Sequence, residues 1–283
     1  MTATVAGTVR EALAAARDAI AASGSETPRL DAELLLAEAT GRRREELATD
    51  PDGPVPPAAA RAFGALVRRR VAHEPVAYVL GRRGFRRIEL RTDRRALVPR
   101  PETELLVEVA LELRPRRVLD IGTGSGAVAL AVADELSGAE VVAVETSVAA
   151  LALAHENAAA LGLADRVELR HGSVTAAPGR FDLALANLPY VAEADRAELP
   201  PDVARWEPAE ALFAGPDGLA VIRDVLATLA PAGAGPDCGA VALEVGIGQA
   251  EAVAALVGAA GYPDVGTRAD LAGIDRVVVG RRR

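Results

Sequence analysis

A glycine-rich segment near the middle of the chain follows an apolar run and precedes a predicted helix. It reads Asp120-Ile121-Gly122-Thr123-Gly124-Ser125-Gly126. Glycines allow the backbone to turn tightly and to approach a ligand without Cβ atoms in the way. The first N–H groups of a helix are free to bind a polar or negative group. We expect this segment to bind a nucleoside-bearing cofactor through Asp120, Gly122, Thr123, Gly124, Ser125 and Gly126.

The glycine segment by itself fits two kinds of cofactor. Gly122, Gly124 and Ala127 also satisfy the dinucleotide fingerprint, which tolerates alanine at its last position. Glu145 closes the next predicted strand, where a carboxylate binds the ribose hydroxyls of NAD or of S-adenosylmethionine equally well. Asp120 favours S-adenosylmethionine, because an acid attracts a sulfonium and an ammonium and repels a pyrophosphate.

A second segment, Asn187-Leu188-Pro189-Tyr190, follows a predicted strand at 181–186. An amide NH₂ is a poor nucleophile because its lone pair is delocalised into the carbonyl, so its orientation has to be fixed. The side-chain oxygen of Asn187 and the backbone carbonyl of Leu188 can accept its two hydrogens, and the Tyr190 ring can stack on the flat group. These residue types predict metal-free methyl transfer to an amide nitrogen. The expected catalytic and substrate-binding residues are Asn187, Leu188, Pro189 and Tyr190, and Asn187 is also expected at the cofactor.

Strands alternate with helices after residue 115, which indicates a largely parallel sheet covered on both faces. The expected strands are 117–121, 140–145, 166–171, 181–186, 239–245, 264–269 and 275–280, and the expected helices are 126–136, 147–161, 217–230 and 248–260. The last two strands have no helix between them and predict an antiparallel edge hairpin. Ligands bind beyond the carboxyl ends of the strands in such sheets, so we expect both chemical segments at one edge.

Residues 1–75 are predicted to form a small helical domain. An apolar stripe at helical spacing runs through Val5, Val9, Leu13, Ala16 and Ile20. Further helices are expected over 28–40, with Leu30, Leu34 and Leu35 facing inward, and over 57–72.

Residues 76–100 change to short extended runs and predict a hairpin or linker, with a basic nucleic-acid arm as the alternative. Residues 101–283 are predicted to form the catalytic domain.

Composition narrows the function further. The chain of 283 residues has no lysine, which excludes Schiff-base chemistry and a Walker phosphate loop. Its single cysteine and three scattered histidines show no metal-binding spacing. Residues 1–100 carry a net charge of +5 and residues 101–283 carry −13. The net acidic chain is unfavourable for general nucleic-acid binding, whereas the basic first third could face an acidic partner. No apolar run is long enough for a membrane span, and a cytoplasmic protein is expected.

The motifs, in order, resemble those of the protein-(glutamine-N5) methyltransferases that modify peptide chain release factors. The resemblance covers nearly the whole chain and rests on 30–35, 73–75, 98–104, the glycine segment, the tetrapeptide, 206–208, 215–218 and 244–246. It implies a class I S-adenosylmethionine-dependent methyltransferase (Rossmann-like) domain, preceded by a helical domain that helps to dock the release factor and by a β-hairpin linker. It implies cofactor binding by residues 122–126 and Glu145, and binding of the glutamine of a Gly-Gly-Gln motif by residues 187–190. Arg100 and Glu102 are then expected near the substrate.

The chain departs from the family pattern at two positions. Leu188 stands where the family has proline, but the group required there is a backbone carbonyl, and Pro189 keeps its neighbour extended. Val174 stands where the family often has a tryptophan near the adenine. Three other functions remain open on the sequence: a DNA adenine-N6 methyltransferase, a non-catalytic cofactor-binding partner of the translation machinery, and an NAD oxidoreductase.

Overall fold

The computed structural model describes residues 7–282. The chain forms two compact units. Residues up to 81 and the segment Pro200–Trp206 make the helical unit, while residues 82–199 and those from 207 onward make the sheet unit. Val5, predicted to begin the first apolar stripe, lies outside the described residues, as does Arg283. Within the described part of the chain, no helix has the length and apolarity needed to cross a membrane.

The helices and strands alternate from residue 117 onward, as the sequence predicts. The helices of the chain are α1 (Val9–Ala22), α2 (Pro28–Thr40), α3 (Arg44–Thr49), α4 (Pro57–Val71), α5 (Val76–Leu80), α6 (Glu104–Leu113), α7 (Ala127–Glu135), α8 (Val148–Ala160), α9 (Pro201–Trp206), α10 (Ala220–Leu229) and α11 (Ala250–Ala259). The strands are β1 (Arg82–Phe85), β2 (Ile88–Arg91), β3 (Arg117–Ile121), β4 (Glu140–Glu145), β5 (Val167–His171), β6 (Arg180–Ala186), β7 (Asp237–Glu244), β8 (Asp264–Ala269) and β9 (Asp275–Arg281).

The helical unit packs around one apolar cluster that includes Ile20, Leu35 and Phe63. One prediction for α2 is wrong: Leu30 was expected to face inward, but 40% of its surface is exposed. The reason is the ion pair that the neighbouring residue, Asp31, makes with Arg70. Asp31 is buried and accepts a 2.7 Å hydrogen bond from the Arg70 guanidinium of α4, and turning Asp31 inward turns Leu30 towards solvent.

The sheet unit contains seven strands in the order β5-β4-β3-β6-β7-β9-β8. Strands β3 to β7 run parallel, whereas β9 is antiparallel to both β7 and β8. Alternate residues of a strand point to opposite faces, so Val118 joins one buried cluster and Leu119 the other. Helices α6 and α7 contribute to the first cluster, and α10 and α11 to the second. This is the class I methyltransferase fold that the sequence predicts.

The segment expected to be a hairpin or linker has two parts. Residues 82–91 form the antiparallel hairpin β1–β2, and its buried Phe85 and Leu90 belong to the sheet unit's core. The prediction for the preceding residues is wrong, since Val76–Leu80 form a short helix instead of an extended run. Val79 packs into the core of the helical unit, and the unit therefore continues to Gly81, six residues beyond the predicted boundary at 75.

Candidate active site

A cavity of about 420 Å³ lies at the carboxyl ends of β3, β4 and β6. Ile121 of β3 pairs with Ala186 of β6, so the glycine segment and the tetrapeptide leave adjacent strands at the same level. Nine residues expected in the site line this cavity: Asp120, Gly122, Thr123, Gly124, Ser125, Glu145, Asn187, Leu188 and Pro189. The cavity wall does not include Gly126, Tyr190, Arg100 or Glu102. Val174 also lines it.

The glycine segment is fixed by the end of the neighbouring strand. The N–H groups of Gly122 and Thr123 both donate to the carbonyl of Val144, at 2.9 and 3.1 Å. Gly122 has a φ of +72°, a left-handed conformation that favours glycine. Gly126 also has a left-handed φ, +87°, and a Cβ there would in addition lie 2.9 Å from the Leu130 side chain. Gly126 thus leaves room for the Leu130 side chain of the helix that it begins, α7, while Gly124 has open space beside it.

Glu145, at the end of β4, also holds the glycine segment in place. One of its carboxylate oxygens accepts a 2.8 Å hydrogen bond from the Gly124 N–H, and the other accepts one of 2.8 Å from the Ser147 N–H. A carboxylate oxygen has two lone pairs, so each oxygen retains acceptor capacity towards the cavity. The residue both shapes the loop and presents an acceptor to a ligand.

Asp120 is the most buried acid of the site, with 1% of its surface exposed. Burial raises the pKa of its carboxyl to about 7, and the hydrogen bonds from Thr123 and Ala129 act in the opposite direction. The Thr123 hydroxyl donates to one carboxylate oxygen at 2.5 Å, and the Ala129 N–H donates to the same oxygen at 3.2 Å. Asp120 therefore ties the glycine segment to the first turn of α7.

The tetrapeptide is oriented by residues distant in sequence. The Asn187 NH₂ group donates to the hydroxyl of Thr103 at 2.9 Å. Leu188 belongs to one of the two core clusters of the sheet unit, and its side chain faces Gly122, where an added Cβ would lie 3.3 Å from it. The leucine side chain thus packs between the tetrapeptide and the glycine segment.

The carbonyl end of the tetrapeptide is held by Gln249. Its NH₂ group donates to the Tyr190 carbonyl at 2.9 Å, and its amide oxygen accepts the Gly246 N–H at 2.9 Å. Gly218 lies against the same carbonyl, and a Cβ at that position would overlap the Tyr190 oxygen. Burial, and then the charge of Glu244, raise the pKa of the Tyr190 phenol to about 12, so its hydroxyl stays protonated at neutral pH.

Comparison with known proteins agrees with this geometry. Residues 11–81 match the PrmC N-terminal domain and residues 101–200 match the Methyltransferase small domain. A release factor glutamine methyltransferase of Cereibacter sphaeroides is 44% identical over 272 residues, covering 96% of this chain and 97% of the relative. The enzyme of the same description from Geobacter sulfurreducens is 42% identical, with 97% and 96% covered.

The chain belongs to the release factor glutamine methyltransferases. Among solved structures, the catalytic domain of hMettl16 in complex with MAT2A 3'UTR hairpin 6 has a TM-score of 0.57 over 77% of this chain and 82% of that one. Its identity of 15% makes this a likeness of fold alone.

Arg100 and Glu102, which the family resemblance places near the substrate, lie in the sheet unit outside the cavity wall. Arg100 donates to the buried carboxylate of Glu207 at 2.7 Å. This ion pair fixes the chain next to Pro208, which lines the cavity. Glu102 lies near Tyr190 and Glu244, since its charge raises the pKa of both groups. In this structure Arg100 thus supports the cavity from outside its wall, and Glu102 lies outside that wall as well.

The family resemblance placed the segment 99–103 near the site but gave Thr103 no role, and sequence reasoning did not single out Gln249 or Asn157. Thr103 and Gln249 hold the tetrapeptide, and Asn157 of α8 donates to the Ser125 carbonyl at 2.9 Å and accepts the Arg91 N–H at 2.8 Å. A polar amide at a buried position of an alanine-rich helix was the available signal for Asn157. Nothing in the sequence indicated the partner of any of the three.

Proposed function

We propose that this chain transfers a methyl group from S-adenosylmethionine to the side-chain amide nitrogen of a glutamine in a peptide chain release factor. The observation that carries the proposal is that Asn187, Leu188 and the glycine segment line one cavity. Relatives similar over nearly the whole chain are described as release factor glutamine methyltransferases. Such an activity belongs to translation termination and hence to the cytoplasm.

The cavity suits S-adenosylmethionine in shape and charge. Gly124 leaves space beside the backbone, Glu145 offers carboxylate oxygens to ribose hydroxyls, and Asp120 and Glu145 are acids in the wall. Val174 closes the wall with an apolar surface where an adenine would fit. When bound, S-adenosylmethionine supplies a methyl group already activated by its sulfonium. The protein then needs neither a covalent intermediate nor a lysine.

The chain's own contribution is to orient the substrate amide. The Asn187 NH₂ points to Thr103, so its oxygen is the atom free to accept an N–H of the glutamine. The Leu188 carbonyl is proposed as the second acceptor, and Tyr190 as the surface on which the flat amide rests. Two acceptors on one NH₂ restrict its rotation and favour a nitrogen aimed at the methyl group.

The test combines cofactor binding with identification of the product. Calorimetry should detect S-adenosylmethionine and its demethylated product, and no heat from NAD. Labelled cofactor and purified release factor should then give one labelled peptide, with N5-methylglutamine at the Gly-Gly-Gln motif. A release factor with that glutamine changed to alanine is the control. Label in DNA adenine, or cofactor binding without transfer to any release factor, would contradict the proposal.

The helical unit is proposed to dock the release factor. Its exposed Leu30 offers an apolar contact that the unit's own core does not use. We expect Leu30→Glu to raise KM for the intact release factor several-fold, with no change for a short peptide that carries the glutamine. An equal KM for both substrates in the wild-type enzyme would show that the unit does not dock the factor.

A further inference from the structure

The Thr103 hydroxyl stands between the tetrapeptide and a buried acid of the neighbouring strand. It accepts the 2.9 Å hydrogen bond from the Asn187 NH₂ group. Hydrogen bonding with the Thr103 side chain lowers the pKa of Glu244, the last residue of β7, and this places the hydroxyl beside that carboxyl. Thr103 is 3% exposed and Glu244 is 2% exposed, so water contributes little to either group. These contacts connect Asn187 to Glu244 through one hydroxyl.

A hydroxyl has a single proton, and this limits the directions of the two hydrogen bonds. When Glu244 is ionised it can only accept, so the Thr103 proton must point to the carboxylate. The Thr103 oxygen can then only accept from its other neighbour, which is the Asn187 NH₂. The Asn187 oxygen must consequently face away from Thr103. An asparagine that flipped would place its own oxygen against the lone pairs of the threonine.

We infer that Thr103 and Glu244 are positioning residues that fix the Asn187 amide with its oxygen available to the substrate NH₂. The inference rests on the proposed function, since it deepens the role given there to Asn187. In this arrangement neither residue contacts the reacting atoms. Thr103 acts through Asn187, and Glu244 acts through Thr103.

The surroundings of Glu244 make this arrangement sensitive to pH. Burial raises the pKa of its carboxyl to about 7, the charge of Glu102 acts in the same direction, and Thr103, Arg276 and Arg100 act against it. Tyr190 faces the same group. One Glu244 oxygen has no hydrogen-bond partner among the described residues. Once protonated, Glu244 could donate to Thr103, and the Thr103 proton could turn to the Asn187 oxygen and permit the flipped amide.

The test compares Thr103→Val, which keeps the shape and removes the hydroxyl, with Thr103→Ser, which keeps the hydroxyl. We expect Thr103→Val to lower kcat on a release factor by about tenfold or more, because misoriented groups lose most of their positioning advantage. KM and the calorimetric Kd for S-adenosylmethionine should change little. Thr103→Ser should recover most of the lost kcat. Equal losses in both variants would assign Thr103 a packing role and overturn the inference.

Two further measurements do not depend on the stability of Thr103→Val. The kcat of the wild-type enzyme should rise with pH through about 7, the pKa given above for Glu244, and Glu244→Gln should remove that step because an amide does not ionise. In the ligand-free protein, the Asn187 side-chain NH₂ signals in a ¹⁵N NMR spectrum, assigned with Asn187→Ala, should shift through the same pH range. An unchanged pH profile in Glu244→Gln would overturn the role of Glu244. Absence of transfer by the wild-type enzyme would instead refute the proposed function.

Discussion

The glycine segment and the tetrapeptide leave adjacent strands at the same level, yet they are held in different ways. The glycine segment hydrogen-bonds to the end of the next strand along the chain, at Val144 and Glu145. The tetrapeptide depends on Thr103, 84 positions before Asn187, and on Gln249, 59 positions after Tyr190. The cofactor half of the site is thus built mainly within one βαβ unit, with one further hydrogen bond from Asn157 of α8 to Ser125, whereas the substrate half is assembled by loops from distant parts of the sheet unit.

This difference predicts that the two halves can be damaged separately. Changes in the loops around the tetrapeptide should reduce transfer and leave cofactor affinity nearly intact. Changes in the glycine segment should affect cofactor binding or stability before they affect substrate orientation. The contact between Leu188 and Gly122 is the place where this separation should be weakest.

The largest effect on transfer is expected for Asn187→Ala. It removes one of the two acceptors proposed for the substrate NH₂, and loss of a positioned group of this kind costs at least about a hundredfold, roughly 3 kcal/mol. Cofactor affinity should stay within a few-fold. Asn187→Asp should be comparably poor, because its carboxylate cannot donate to Thr103 and adds a charge beside the sulfonium. Single-turnover assays with a release factor measure transfer by both variants. Full activity in Asn187→Ala would show that the tetrapeptide has a structural role and does not orient the substrate.

Gly218→Ala should give the next largest loss. The residue has a φ of +73°, and its Cβ would overlap the Tyr190 carbonyl, so the tetrapeptide has to shift. A displacement of about 1 Å commonly costs on the order of a hundredfold in rate, and we expect a loss of about ten- to a hundredfold in kcat with cofactor Kd unchanged. Gly273→Ala is the matched control, with a φ of +79° and open space around its Cβ. Similar losses of kcat in both variants would attribute the effect to backbone strain and not to the overlap.

The same contrast explains how much could be predicted from the sequence. The strands and the glycine segment follow from local periodicity and from glycine chemistry, and β3, β4 and β6 lie within one residue of their predicted bounds. Leu30 was misplaced because the Asp31–Arg70 pair joins positions 39 apart, which a helical stripe cannot show. The role of Thr103 and the position of Gln249 were missed for the same reason, since their partners are defined only by tertiary packing.

Asp120 offers a test of the cofactor half through stability. Its pKa is about 7 in the folded protein and about 4 in an unfolded chain, so the folded state retains a proton that the unfolded state releases. Its contribution to stability is therefore complete below about pH 4 and declines as the pH rises to about 7, by on the order of a few kcal/mol. In denaturant unfolding at pH 5 and pH 8, Asp120→Asn should lose less stability between the two pH values than the wild type. An identical loss in both proteins would show that Asp120 is ionised throughout that range.

The smallest effect is expected for Leu188→Pro, at the contact between the two halves. The carbonyl proposed to accept the substrate N–H is retained, and the following Pro189 already restricts residue 188 to extended geometry. We expect kcat within about threefold of the wild type, because positioning requires the carbonyl and not the side chain. Some packing against Gly122 is lost, and the free energy of unfolding should fall by about 1 kcal/mol. Urea unfolding and single-turnover transfer measure the two quantities on the same sample. A loss of kcat above tenfold, with stability almost unchanged, would mean that the leucine side chain itself transmits the position of the glycine segment to the tetrapeptide, and that the two halves are not separable.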